Sequence, residues 1–138
     1  MVYGIGCDLC SIARMEKSLL GPHGPVFARR VFGPAEQAAL GLPLAEEEDT
    51  ARRTAHTVAS AAADFAAKEA FLKAAGTGLR EPFSLCEIEA VRLPGGAPAY
   101  RFSGRSAQWV EARRLRAHLS LSHEDGMAMA YCILETET

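Results

Sequence analysis

Two charged residues of this 138-residue chain, Glu69 and Lys73, have the types and the spacing that a reactive site requires. Four positions apart in a predicted helix, they lie on one face. A carboxylate can hold a metal ion and an ammonium can offset an anion, but the same pair is also a common surface ion pair worth a few tenths of a kcal/mol. Their neighbours are the apolar residues Phe65 and Leu72, and a Gly-Thr-Gly segment follows at 76–78. This setting favours a functional site over a solvated pair.

A second acidic residue, Asp8, lies at the end of the first predicted strand, residues 2–9. Gly4 and Gly6 precede it on the same face, because side chains alternate along a strand. Two glycines leave room on that face for another backbone or for a ligand. The alternative is that Asp8 caps the following helix, although Ser11 is the better placed cap for a helix that runs to about residue 20.

Ser122 and His123 form a third candidate. Ser122 ends a predicted strand, residues 118–122, whose polar face carries His118, Ser120 and Ser122, and His123 follows that strand. An imidazole there could accept a proton or bond a phosphate oxygen, because its pKa normally lies near neutrality. An isolated histidine is more often structural than catalytic, so this position carries less weight than the other two.

The element that must position Glu69 and Lys73 is a long helix, predicted over residues 52–75. Nine alanines between Ala59 and Ala75 favour a helix and leave little side-chain bulk, so other elements can approach its backbone closely. Gly76 ends the helix, because glycine readily takes the left-handed conformation of a C-cap.

The remaining elements are shorter. Before the long helix we expect the strand and helix above, a loop over residues 21–26, a short element at 27–32 and a helix from Pro34. The acidic residues 41–49 are expected to form either a linker or a fraying helix start. After it we expect a hairpin of strands 88–93 and 99–102, a helix over 106–115, and strands 118–122 and 127–134 joined by a turn at Asp125-Gly126. This order predicts an α+β fold, with an antiparallel sheet packed around the long central helix, in one domain over residues 1–138.

Composition and charge argue against several functional classes. Hydrophobic residues make up 49% and charged residues 23%, which is typical of a globular protein. A net charge of −2 argues against a nucleic-acid platform. The longest apolar run is far too short for a membrane span and no signal-peptide pattern precedes Val2, so we expect a cytoplasmic protein without membrane association.

The four cysteines are predicted to be reduced and mostly buried: Cys7, Cys10, Cys86 and Cys132. Cys7 and Cys10 have CxxC spacing, but Asp8 lies between them and no second CxxC or Cys/His pair follows, which disfavours a zinc site. A thiol-redox protein is the alternative that this pair would support.

The holo-acyl-carrier-protein synthases, small 4′-phosphopantetheinyl transferases, are the family that this chain resembles. The resemblance lies first in Phe65-Ala66-Ala67-Lys68-Glu69-Ala70-Phe71, followed by Lys73 and Gly76-Thr77-Gly78. A second motif is Gly4-Ile5-Gly6-Cys7-Asp8-Leu9, followed by a helix with Arg14, and a third is Leu119-Ser120-Leu121-Ser122-His123. With Arg30-Val31-Phe32 and Glu36, these motifs span nearly the whole chain in the right order.

The resemblance implies a reaction and its site. Phosphopantetheine would pass from coenzyme A to a serine of apo-acyl carrier protein, releasing adenosine 3′,5′-bisphosphate. Asp8 and Glu69 would hold Mg²⁺, which prefers one or two protein carboxylates plus water and phosphate oxygens. Lys73 and the backbone N–H groups of residues 76–78 would face the phosphates, and Ser122 and His123 would lie against coenzyme A. Whether Glu69, His123 or a metal-bound water is the base stays open.

The resemblance also implies partners. Enzymes of this family are homotrimers whose sites lie at subunit interfaces. Their carrier proteins present an acidic helix beside the serine that is modified. Arg14, Arg29 and Arg30 are the basic residues that we expect to dock that helix.

Two positions within the long helix stand apart. Asp64 occupies the place where the family usually has Arg, which would favour the anionic coenzyme A, whereas Asp would disfavour it or face elsewhere. Residues that could compensate are Arg52, Arg53 and Arg80. Asp64 is also the feature that favours a second hypothesis, a non-catalytic module that keeps the fold and docks a carrier protein. Lys68 points off the Glu69 face and is expected to be a solvated charge.

Overall fold

The computed structural model describes residues 1–42 and 51–137, and it describes only the backbone of residues 51–53. Ten helices and strands occur in these ranges, in the order β1 Val2–Ser11, α1 Ile12–Leu20, α2 Gly24–Val31, α3 Pro34–Leu40, α4 Ala51–Ala75, β2 Ile88–Arg92, β3 Pro98–Phe102, α5 Gly104–Ala112, β4 Leu115–Glu124 and β5 Met127–Thr136. A short 3₁₀ helix, Leu85–Glu87, precedes β2. Within the described residues, no helix is both long and apolar enough to cross a membrane.

Helix α4 runs through the centre of the molecule, as predicted, and packs on one face of a three-stranded antiparallel sheet of order β1-β5-β4. Its contact with β1 is very close. A Cβ atom added at Gly4 would overlap the carbonyl oxygen of Ala74, and one added at Gly6 would overlap that of Ala70. The room left by the two glycines is therefore filled by the backbone of α4 and not by a ligand.

The opposite face of the three-stranded sheet, which we call the outer face, is apolar and open. Side chains of β1 and β5 alternate between α4 and this face. Its large members in the centre of the sheet are Ile5, Leu9, Met129 and Tyr131, with exposed fractions of 57%, 59%, 39% and 39%. A contiguous apolar surface of this kind commonly marks a protein–protein interface.

A second sheet, formed by the hairpin β2–β3, covers another side of α4. Phe71 of α4 lies at the centre of an aromatic cluster there, with ring centroids 4.9 Å from Phe102, 5.4 Å from Phe83 and 5.9 Å from Tyr100. Trp109 of α5 closes this cluster. The α+β class and the hairpin are confirmed, and the single antiparallel sheet of the prediction is in fact two sheets.

Several predicted boundaries are wrong. Residues 24–26 are the first turn of α2 and not part of a loop, because Pro25 takes an early helical position where its missing N–H is not needed. Helix α5 ends at Ala112 instead of residue 115, because Arg114 takes a positive φ of 52° and Leu115 starts β4. Residues 43–49 of the predicted acidic segment lie outside the described residues.

The prediction that Lys68 is a solvated charge is also wrong. Its side chain is 0% exposed and forms a salt bridge with Glu36 of α3, which is equally buried. Lys68 Nζ also donates hydrogen bonds to the carbonyl oxygens of Leu85, at 3.1 Å, and Ile88, at 2.6 Å. Lys68 does point away from the Glu69 face, but what it meets there is protein and not water.

Candidate active site

Strand β1 and helix α4 bring Asp8 and Lys73 together. Lys73 Nζ donates hydrogen bonds to Asp8 Oδ1 at 3.0 Å and to the carbonyl oxygen of Cys7 at 2.9 Å. The Asp8 side chain is 19% exposed and that of Lys73 is 55% exposed, so the pair opens to solvent. The close approach of β1 to α4 at Gly4 and Gly6 sets this geometry.

Glu69 lies half-buried on the same side of α4. Its pKa is raised, first by burial and then by the negative charge of Asp8, while the Lys73 ammonium opposes the increase. The hydrogen bond to Asp8 is the main cause that raises the pKa of Lys73. Two carboxylates that repel each other beside one ammonium form a site that a second cation would stabilise.

The donor set at this place fits Mg²⁺. Asp8 and Glu69 supply carboxylate oxygens, and the ion takes its other oxygens from water and phosphate. Among the described residues, no group of three or more His, Cys, Asp or Glu side chains could hold a metal ion, so an all-protein cage of the kind typical of structural zinc is not found in them. Asp8 and Glu69 remain the predicted metal ligands.

A cavity of about 230 Å³ opens beside these carboxylates, lined by Leu9, Cys10, Ser11, Arg14, Met15, Ser18, Phe27 and Phe65. Burial raises the pKa of the Cys10 thiol, the negative charges of Asp8 and Glu69 add to the increase, and the Arg14 guanidinium opposes it. Arg14, Asp8 and Glu69 therefore all lie close enough to Cys10 to act on its thiol. The sequence predicted Cys10 to be a buried thiol, with a redox pair as the alternative, and did not indicate its place beside the carboxylates.

Cys7 and Cys10 do not form a redox pair in this geometry. All four cysteines are free, but only Cys132 is buried, Cys10 and Cys86 are partly exposed and Cys7 is exposed, so the prediction of mostly buried cysteines is wrong. Cys7 and Cys10 lie on opposite faces of β1. Three residues of extended strand place their Cα atoms about 10 Å apart, beyond the reach of a disulfide.

Two backbone N–H groups of the Gly76-Thr77-Gly78 loop are hydrogen-bonded to the C-terminal end of α4. The Gly76 N–H bonds the carbonyl oxygens of Leu72 and Lys73, and the Thr77 N–H bonds that of Leu72. Gly76 has a φ of 80°, as predicted for a helix C-cap. The Thr77 hydroxyl donates to the carbonyl oxygen of Gly78 at 2.9 Å, so the predicted phosphate contact of this loop depends on the Gly78 N–H.

The structure does not bring Ser122 and His123 to Asp8 within one chain. Both are exposed on β4, which is separated from β1 by β5. His123 and Cys10 both pair with Ala128, from opposite sides, so two strand spacings of about 4.8 Å separate them. Ser122 lies on the outer face of the sheet, opposite Met129.

The other predicted docking residues, Arg29 and Arg30, are exposed in the last turn of α2. Arg30 lines a second cavity of about 550 Å³ between α2 and the segment after α4, together with His23, Val26, Phe27, Val31, Leu79, Phe83, Ser84 and Leu85. Phe27 borders both cavities. Arg14 and Arg30 therefore border two cavities that share Phe27, whereas Arg29 lines neither of them.

Asp64 faces away from this site. Its side chain is 5% exposed and its Oδ1 accepts a hydrogen bond from Arg92 of β2 at 3.2 Å. Burial raises the pKa of Asp64 to about 6, although the Arg92 guanidinium opposes the increase. Of the possible compensating residues, the side chains of Arg52 and Arg53 lie outside the described residues, and Arg80 is exposed. Sequence reasoning missed Arg92, which lies 28 residues from Asp64.

Comparison with known proteins decides the family. The family model described as the 4′-phosphopantetheinyl transferase superfamily matches residues 4–132. The holo-[acyl-carrier-protein] synthase of Bordetella pertussis is 41% identical over 135 residues, which cover 97% of this chain and 83% of that protein. The chain belongs to the holo-[acyl-carrier-protein] synthase family.

Solved structures of holo-[acyl-carrier-protein] synthases have the same fold. That from Neisseria meningitidis superposes with a TM-score of 0.77 at 31% identity and covers 99% of this chain and 100% of its own. That from Bacillus anthracis, a complex with CoA (3′,5′-ADP), gives a TM-score of 0.73 at 31% identity and 99% coverage of both chains. The family model matches residues 4–132, and this range contains every residue that we predict to bind the metal ion or coenzyme A.

Proposed function

We propose that this chain transfers 4′-phosphopantetheine from coenzyme A to a serine of apo-acyl carrier protein, with Mg²⁺, and releases adenosine 3′,5′-bisphosphate. The observation that carries the proposal is the meeting of Asp8, Glu69 and Lys73 inside the matched family region. The relatives' name and the bound CoA (3′,5′-ADP) of the Bacillus anthracis structure support the substrates.

The reaction is a displacement at phosphorus. The acceptor serine oxygen forms a bond to the phosphorus that carries pantetheine, the pyrophosphate P–O bond breaks, and adenosine 3′,5′-bisphosphate leaves while the serine proton is lost. Bound by Asp8 and Glu69, Mg²⁺ would neutralise the phosphate charge that repels the nucleophile. Lys73 would place its ammonium against the same phosphates, since more than half of its side chain is accessible. Glu69, with a raised pKa, and His123 are the side-chain candidates for the base.

We also propose that the complete site forms between copies of this chain in a homotrimer. Ser122 and His123 lie two strands away from the β1 edge that carries Asp8, so one chain does not bring them to the metal pair. A neighbouring copy packed on the apolar outer face could supply them. The exposed Ile5, Leu9, Met129 and Tyr131 give that face the composition of an interface core.

The carrier protein is proposed to dock on α1 and α2 through Arg14, Arg29 and Arg30. Arg14 borders the cavity beside the carboxylates, and Arg30 borders the adjoining one. Basic side chains near the site would complement an acidic helix and steer its approach.

The non-catalytic alternative loses the feature that favoured it. Asp64 was unfavourable to coenzyme A only if its charge faced the site, and its carboxylate is instead bonded to Arg92 inside the protein. Asp8, Glu69 and Lys73, the residues that the proposed catalysis requires, are all present in this chain.

Mass spectrometry tests the proposal directly. An apo-acyl carrier protein is incubated with this chain, coenzyme A and Mg²⁺, and its intact mass is measured. The proposal predicts a gain of one phosphopantetheine and stoichiometric release of adenosine 3′,5′-bisphosphate. A carrier protein that binds to the chain but keeps its apo mass with every added metal would favour the docking module instead.

A further inference from the structure

The buried salt bridge of Lys68 lies next to the site along the chain. Lys68 precedes Glu69 on α4, and its ammonium is enclosed by Glu36, by two backbone carbonyl oxygens and by the ring of Phe32, whose centroid is 5.5 Å from Nζ. Burying a charge so completely is expensive, and an apolar pair of similar volume is often as stable. Stability alone therefore gives little reason for these two charges.

Glu36 ties Lys68 to two further segments. Its Oε1 also accepts a hydrogen bond from the Gly33 N–H at 3.1 Å, and its Oε2 accepts one from the Ala90 N–H at 3.1 Å. The Glu36 N–H donates to Glu89 Oε2 at 2.9 Å. One carboxylate thus connects the α2–α3 junction, α4 and β2 through directed bonds. No buried side-chain nitrogen or oxygen among the described residues lacks a partner, so the network is fully satisfied.

On its other side, α4 meets the sheet through very small residues. Ala70 and Ala74 pack on Gly4 and Gly6, and their side chains provide no large projection that could fix the rotation of the helix. Apolar contacts of this kind are non-directional, whereas hydrogen bonds have preferred distances and angles. The three acceptors around Lys68 supply directional restraint close to Glu69.

We infer that Lys68, held by Glu36, is a positioning residue that fixes the rotation of α4 so that the Glu69 carboxylate meets Asp8. This inference deepens the proposed function and rests on it. A carboxylate about 5–6 Å from the helix axis moves by about 1 Å when the helix rotates by about 10°. A displacement of about 1 Å at a reacting centre can lower a rate by about 100-fold.

The test compares two network variants with the wild type. Glu36→Gln keeps the shape and one acceptor oxygen, and Glu36→Gln combined with Lys68→Met also removes the buried cation, so no unpaired carboxylate is left. Leu115→Ala is the control, because Leu115 is a core residue of β4 outside the network. Mn²⁺ binding is measured by electron paramagnetic resonance without coenzyme A or carrier protein, and transfer kinetics are measured separately. All measurements are made well below the unfolding midpoint of each variant.

The double variant is expected to bind Mn²⁺ at least about tenfold more weakly and to lose about 10- to 100-fold in kcat, with the KM for carrier protein changed by less than about threefold. Glu36→Gln alone should also weaken Mn²⁺ binding and lower kcat, but by smaller factors than the double variant. Leu115→Ala should lower the unfolding midpoint and leave Mn²⁺ affinity and kcat near those of the wild type.

Folded network variants with wild-type Mn²⁺ affinity and kcat would overturn the inference, as would an equal loss of affinity in Leu115→Ala. A wild type that binds no Mn²⁺ would overturn it too, because Glu69 would then have no metal to meet. A wild type that binds Mn²⁺ but transfers nothing would contradict the proposed function alone, since the Mn²⁺ comparison would still decide the role of Lys68.

Discussion

The Lys73 ammonium joins two parts of the chain that lie 65 residues apart, β1 at Asp8 and the last turn of α4. Sequence reasoning reached this arrangement because each half is locally encoded. The spacing of Glu69 and Lys73 places both on one helix face, and alternation places Asp8 on the glycine face of β1. Neither pattern shows that the helix face and the strand face meet in one site. That expectation came from the family resemblance.

The environments of Lys68 and Asp64 could not be predicted in the same way. Helical periodicity gives the direction of a side chain but not what stands there. Lys68 meets Glu36, 32 residues away, and Asp64 meets Arg92, 28 residues away. Charged residues are normally exposed, so a solvated Lys68 was the expected state, and only the tertiary structure shows its partner.

At the residue scale, the role of Arg14 in docking the carrier protein can be tested by reversing its charge. Arg14→Glu should raise the KM for carrier protein and reduce its dependence on salt, with the KM for coenzyme A nearly unchanged, because exposed charges act on encounter and are screened over about 10 Å at 0.1 M salt. Titrating carrier protein at two salt concentrations measures both effects. Arg105→Glu on α5 is the control, since Arg105 is also exposed but pairs only with the surface residue Glu81. An unchanged KM in Arg14→Glu would show that Arg14 is an ordinary solvated residue.

At the scale of elements, the long helix and the hairpin were predictable because alanine content and turn residues are strong local signals. Helix α2 was only partly predicted, since Gly24-Pro25 is also typical of a turn. The division into two sheets depends on which strands pair, and strand pairing is a long-range property that one strand's alternation does not contain.

The contact of β1 with α4 gives the first prediction at this scale. Gly6→Ala should lower the unfolding free energy by about 1–3 kcal/mol and reduce transfer strongly, because its Cβ would push β1 from α4 at Ala70 and carry Asp8 away from Glu69. Chemical denaturation and transfer rates measure the two effects. Gly95→Ala is the matched control, since it lies in the β2–β3 turn with open space around it and should stay within about 0.5 kcal/mol of the wild type. Equal behaviour of the two variants would refute the close-packing account.

The Asp64–Arg92 pair, which joins α4 to β2, gives a pH prediction. Burial raises the pKa of Asp64 from 3.8 to about 6, so the folded protein holds this proton more tightly than the unfolded chain does. The contribution of Asp64 to stability is therefore fully present below pH 3.8 and is lost as pH rises through about 6. Asp64→Asn should reduce the slope of the unfolding free energy over this interval, measured by urea denaturation at several pH values. The remaining slope comes in part from Glu36, because burial raises its pKa to about 7. Glu81→Gln, at an exposed acid, should keep the wild-type slope, and a wild-type slope in Asp64→Asn would contradict the assignment.

At the scale of the whole molecule, the apolar outer face is the feature that one folded chain leaves unexplained. In β1 the apolar residues alternate with Gly4, Gly6 and Asp8, and the sequence alone does not show that α4 covers the glycine face and leaves the apolar face open. The proposed trimer accounts for the other face and for the distance between His123 and the β1 edge.

Substitution on that face tests the assembly. Ile5→Glu should dissociate the proposed trimer and abolish transfer, because a charge at a residue 57% exposed in the single chain would be buried in the interface. Sedimentation at micromolar concentration measures the change. Leu93→Glu is the control, since Leu93 is 51% exposed in the β2–β3 turn, away from the outer face, and should leave both properties intact. A wild-type monomer or dimer with full activity would exclude shared interface sites.

The most direct test of the central claim is the Mg²⁺ dependence of transfer in Asp8→Asn and Glu69→Gln. Both substitutions keep the size of the side chain and remove the anion that the cation needs, and Glu111→Gln on α5 serves as a control at an exposed acid. Initial rates are measured by carrier-protein mass across a range of Mg²⁺ concentrations, with circular dichroism to show that each variant is folded. We expect both site variants to lose at least about 100-fold in rate and Glu111→Gln to match the wild type. Near-wild-type rates in both site variants at limiting Mg²⁺ would contradict the account.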